Sequence, residues 1–168
     1  MILSEFILLG IGGKELSEEN AAQTAKALNI IQPDFIRVHA TGIKLESKLG
    51  EFVRDGSFTL QSEEEIVIEQ KLFLQQLHEM DSYYVNEHIV NLLLEVRGNL
   101  RTEKQEMLST IDRFLTLPPD ERLLFTVGRR LNIFFRLDDL KKPKLHQKAG
   151  ESLQQILSKN PHVDFAAL

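Results

Sequence analysis

The chain has no cysteine. That absence excludes disulfides, thiolate metal sites and cysteine nucleophiles. Clustered positive charge is also missing. No run of Lys or Arg exceeds two residues and the net charge is −5, so the basic stripe expected of a nucleic-acid binder is not there. Long apolar runs are absent too, because charges interrupt every apolar stretch well short of bilayer-spanning length. The opening MILSEFILLGIGG lacks the positive flank and the long apolar stretch of a signal peptide. These absences read as a cytoplasmic chain with neither a membrane nor a nucleic acid as partner.

What is present suits a folded domain. At 168 residues, 42% hydrophobic and 27% charged, the chain is of single-domain size and ordinary for a soluble globular protein. Residues 3–9 form a short apolar run closed by Gly10, Gly12 and Gly13, which predicts a buried strand ending in a tight loop. Ser17 then stands as the N-cap of a helix with Glu18 and Glu19 in its first turn. Ala21, Ala22, Ala25 and Leu28 give that helix a narrow apolar stripe. Asn29 lies in its C-cap region, and Pro33 bars continuation. Phe35, Ile36 and Val38 make a second strand, which completes a βαβ unit and requires a parallel sheet.

Downstream, a short helix is predicted over 47–54, and Ser62 with Glu65 forms a capping box for a helix over 62–80. Residues 83–85 make a brief third strand, and the apolar run 89–96 reads as helical. Thr102 with Gln105 forms a second capping box, with Leu108, Ile111 and Leu115 facing the core. Past Pro118–Pro119 the pattern predicts helices over 121–127, 131–140 and 147–157, with 141–144 as a linker. The division is 1–116 and a helical extension, 117–168. The fold class is α/β, a small parallel sheet of two or three strands with helices predominating. So few parallel strands do not cover both faces of a sheet. The chain therefore has to borrow strands from a partner or belong to something larger.

The first chemical constellation is Gly10-Ile11-Gly12-Gly13-Lys14-Glu15, at a strand end before a helix, where unpaired N–H groups and bare backbone suit an anion or a ribose. It fails the P-loop pattern, because Leu8 stands where the first glycine belongs and Glu15 follows Lys14. It also fails the dinucleotide fingerprint. Taken by itself, the loop is better explained as a tight strand-to-helix turn. His39 and His88, with Glu87 and Glu15, invite a metal reading, but no helix carries a spaced pair of histidines and a lone histidine beside a sheet reads as a hydrogen-bonded structural residue, so no metal site is expected. His78, His146 and His162 read as surface residues. Glu63–Glu65 are explained by the helix dipole, and Ser17 and Ser62 by capping rather than nucleophilic chemistry. The cluster Leu131, Ile133, Phe134, Phe135 and Leu137 reads as core.

Four phrases in order resemble a subgroup of the radical S-adenosylmethionine (SAM) enzymes. The family's GLGG, basic residue, E, LSEE is matched by residues 10–19, and its INPDFIRV by residues 31–38. Its glycine, phenylalanine and triple-glutamate phrase is matched by residues 56–65, and its DHxxN by Glu87-His88-Ile89-Val90-Asn91. The likeness covers about the first 110 residues and does not extend past about Thr116. It implies that the two strands are the fifth and sixth of a partial (β/α) barrel. The preceding half would hold a CxxxCxxC loop and its iron–sulfur cluster, which reduces SAM to a 5′-deoxyadenosyl radical. It further implies that Gly10, Ile11, Gly12, Gly13 and Glu15 lie on the adenosine side, with Arg37 and His39 near on the next strand. The family's PPGTPLY loop appears here as residues 43–49 without its prolines, and the cluster cysteines are absent.

The resulting expectation is the C-terminal segment of a radical SAM-like protein that is not catalytic alone. It would contact SAM only when the missing half is supplied. The alternative is a non-enzymatic module that pairs its exposed sheet edge with a partner or a second copy. A small metal-dependent hydrolase, resting on His39, His88 and scattered acids, is a third class.

Overall fold

The computed structural model describes residues 1–44 and 46–160; His162, the end of the extension and Leu45 lie outside the described residues. In strand β1 (Ser4–Leu9) the exposed Ser4, Phe6 and Leu8 alternate with Glu5 and the buried Ile7 and Leu9, and β2 (Phe35–Ala40) alternates half-buried and buried positions. They pair in parallel, with Phe6 opposite Arg37 and Leu8 opposite His39. Helix α1 (Ser17–Ile31) makes the crossover and buries Ala21, Ala25 and Leu28. Strand β3 (Tyr83–Val85) continues the parallel ladder beside β2, and β4 (Gly98–Asn99) closes it antiparallel beside β3. The fold is thus α/β with an open, mostly parallel sheet of four strands in the order β1-β2-β3-β4, one antiparallel strand more than expected.

Helix α2 (Lys48–Arg54) is capped by Ser47, and α3 (Glu63–Gln76) by the reciprocal Ser62/Glu65 capping box. Helices α1 and α3 pack against each other. With them, Ile7, Leu9, Ile36, Val38 and Tyr84 from one sheet face enter a core that includes Phe73 and Leu74. The rest of the chain is α4 (Leu100–Leu115), α5 (Pro119–Arg130), a 3-10 turn (Leu137–Lys141) and α6 (Pro143–Lys159). Among the described residues, no helix is long and apolar enough to cross a membrane.

Several local expectations are corrected. The run 89–96 is not helical. Leu92, Leu93 and Val96 are buried by a loop whose turns are held by polar groups. Asn86 donates to the Leu93 carbonyl, and Arg129 to the carbonyls of Asn91 and Leu92. Ser17 is not a cap: Leu16 holds that place without a side-chain bond, and the Ser17 hydroxyl is drawn to Glu69 instead. The cap of α4 is Asn99, whose side chain accepts from Arg101 N while Glu103 accepts from Asn99 N. Thr102 is one turn inside. Helix α1 ends on Gln32 in a left-handed conformation, leaving the Asn29 side chain to tie Gln76 and His78 to it. Helix α3 stops at Gln76, residues 131–140 contribute only the start of the 3-10 turn, and the expected linker 141–144 already begins α6.

Candidate functional site

Among the described residues, helices α1 and α3 pack on one face of the parallel sheet. On the other, Phe6 is 64% exposed, Leu8 46% and Tyr83 42%, with Phe35, Arg37, His39 and Val85 half-buried among them. A parallel sheet ordinarily has both faces covered, so this face is the feature of the molecule that calls for a function.

Its centre is a connected set of rings and cations. The Arg37 guanidinium lies 5.9 Å from the Phe6 ring centre and 5.6 Å from that of Phe35, within cation–π range of both. Its Nε donates to Ser4 Oγ at 3.0 Å. Phe6 meets the His39 ring edge-on at 5.4 Å, and His88 stacks on His39 at 4.1 Å with 17° between planes. His39 has its pKa held below the ordinary histidine value, first by lost hydration, then by His88 and by Arg37. The Nδ1 of His88 is buried without a hydrogen-bond partner.

The histidine pair is placed by Asn91. Past Val85, β3 no longer faces β2, and the Asn91 carboxamide takes over the ladder. It accepts from Ala40 N at 2.7 Å and donates to Val38 O at 2.7 Å, bracketing His39. The Asn91 N–H closes a turn on the His88 carbonyl at 2.9 Å, which delivers the His88 ring to its stack.

The glycine loop follows β1 directly. Gly10 and Gly13 have φ of +80° and +63°, and a Cβ on Gly13 would stand 2.9 Å from the Thr59 carbonyl, so glycine is required at both. Gly13 N and Leu16 N donate to the Gly10 and Gly12 carbonyls, and Lys14 N donates to Thr59 O. Beneath the loop the fully buried Glu69 carboxylate accepts from Gly10 N at 3.2 Å, Ser17 Oγ at 3.0 Å and Asn20 Nδ2 at 2.7 Å. Thr59 Oγ1 donates to Glu15 at 2.5 Å and holds that carboxyl below the usual range. Lys14 pairs with Glu65 at 2.9 Å. Four of the loop's N–H groups are therefore committed within the chain; Ile11, Lys14, Glu15 and Leu16 are exposed, with Gly12 half-buried between them.

Of the residues singled out in sequence, His39 stands opposite Leu8 in register, two residues from the loop, and Arg37 opposite Phe6, one pair deeper. Glu15 is spent on Thr59. The metal set does not assemble, since Glu87 pairs with Arg97. Among the described residues, no group of three or more His, Asp or Glu side chains is placed to hold a metal ion. His78 is exposed, while His146 is half-buried against Glu121 at 3.2 Å. Sequence reasoning missed Glu69 and Arg129, and named Asn91 only within the DHxxN phrase, without its place beside His39. A signal for Glu69 was present, because Glu69 and Gln70 interrupt the buried stripe of Val67, Phe73 and Leu74. No protein-family model, curated protein or solved structure matches this chain.

Proposed function

We propose that the chain is the carboxy-terminal, adenosine-side half of a radical SAM-type (β/α) barrel, catalytically silent alone, whose bare sheet face is an inner wall completed by a second half. The observation that carries this reading is the one-sided parallel sheet, since consecutive parallel strands with helices on a single face are what a cut barrel leaves. The position of the loop supports it as well. Ligands of parallel α/β sheets bind beyond the carboxyl ends of the strands, where Gly10–Gly13 and the His39–His88 stack stand. The chain itself does not fit an iron–sulfur cluster, because it offers no thiolate, so the cluster belongs to the other half. For SAM, the accessible parts are the exposed Ile11 and the half-buried Gly12 and His39. The other glycines are accounted for by the turn.

The test begins with the coding sequence flanking this chain, translated in all frames for CxxxCxxC. The encoded half is then co-expressed anaerobically with this chain, and SAM binding is measured by equilibrium dialysis. Binding by the complex and none by this chain alone is the expected result. Absence of the motif, or a complex indifferent to SAM, would sink the reading.

The free β1 edge favours a second reading, in which the chain pairs with another copy. β1 is the outer strand of the sheet, although Asn20 Nδ2 already holds the Leu8 carbonyl near its end at 3.2 Å. Sedimentation of the isolated chain separates the two readings.

A further inference from the structure

The charge on the bare face restricts what covers it. Phe6, Leu8, Phe35 and Tyr83 form an apolar field, and Arg37 stands inside it on β2, flanked by β1 and β3. Among the described residues no carboxylate pairs with Arg37. The residues shown against Arg37 are Phe6, Phe35, Ser4 and Val85, and the next outward-facing residue on β2 is His39, stacked on His88; none of these carries negative charge. Shape alone admits a second copy, since twisted sheets stack face to face at about −30°. Charge opposes it. A two-fold axis through the centre of the face sets Arg37 against its own image and buries two guanidinium groups without a counter-ion, the costly arrangement for buried charge.

We propose that the bare face docks a non-identical protein surface, apolar and carrying a carboxylate opposite Arg37. This rests on the reading that protein covers the face, and needs neither SAM nor a cluster. The chain can be turned into its own probe. An Arg37→Glu/His39→Glu variant presents the same apolar field with carboxylates at its centre. Both positions lie on an open face, and far-UV circular dichroism checks the fold; Arg37→Glu alone serves if the double variant does not fold.

Wild type, variant and their equimolar mixture are compared by sedimentation equilibrium at low salt. Monomers from each alone and a one-to-one complex from the mixture are expected. That complex should be lost when the wild-type partner carries Phe6→Ser and should weaken as salt screens the pair. A wild-type dimer abolished by Phe6→Ser, or a mixture that stays monomeric, overturns the proposal. A complex here without any CxxxCxxC half would leave this inference standing and remove the barrel reading.

Discussion

His39 is a histidine whose surroundings favour the neutral ring. His88 lies 4.1 Å away in a near-parallel stack, and a proton on His39 would sit beside that ring and the Arg37 cation after losing part of its hydration. Its folded pKa is therefore below the unfolded value of about 6.5. Between those two values the unfolded chain binds the extra proton, so stability is fully present above about pH 6.5 and declines as pH falls through the window beneath it. The urea midpoint followed by circular dichroism should drop between pH 7.5 and 5.5, and His39→Gln should flatten that drop. Parallel profiles for the two proteins would show that the stack does not restrain protonation.

Helix α5 has a glycine where propensity argues against one. Alanine is better than glycine inside a helix by about 1 kcal/mol, so local reasoning predicts that Gly128→Ala stabilises. The packing predicts the reverse. A Cβ at Gly128 would meet the Phe134 ring at 2.2 Å, and the Gly128 carbonyl accepts from both Ile133 N and Phe134 N as the chain folds back beneath the helix. Gly128→Ala should cost about 1–3 kcal/mol through overpacking, read as a lowered thermal midpoint; a rise would mean that Phe134 moves freely. The same contrast separates what the sequence disclosed from what it hid. The first strand, the crossover helix, the second strand and the Ser62 capping box were legible because each rests on neighbours in sequence. The loop at 89–96 was not. Its apolar residues carry no local mark that Asn86 and Arg129 would satisfy its carbonyls, so burial without a helix was invisible. For the site, the glycine turn was legible but its anchor Glu69 was not, since Gly10 and Glu69 lie 59 positions apart. In β1, Phe6 and Leu8 belong to an apolar run that reads as buried on both faces, and nothing in the run says which face the chain itself covers.

At the scale of the whole molecule, the helices after residue 116 are packed into the same core as the sheet. Phe125 lies 5.9 Å from both Phe114 and Phe134, and one buried cluster runs from Ile7 to Ala149. The join is polar as well. Arg129 donates to the carbonyls of Leu92, Asn91 and Phe134 at 3.0, 3.2 and 3.1 Å, while Arg130 holds the Val90 carbonyl and pairs with Glu63. The loop gripped in this way carries Asn91, which brackets His39, so α5 is linked to the bare face through a continuous set of hydrogen bonds. Replacing Arg129 with leucine removes the donors of three carbonyls, each costing about 1–3 kcal/mol when left buried and unpaired. Relief from burying the charge offsets part of that loss. Arg129→Leu should therefore lower stability by about 2–4 kcal/mol. It should do so in a single transition whose calorimetric and van't Hoff enthalpies agree, because sheet and extension share one core. Two separated transitions, with only the later one keeping its wild-type midpoint, would mean that the extension folds as a unit of its own and that its arginines steady the loop without being needed for the sheet.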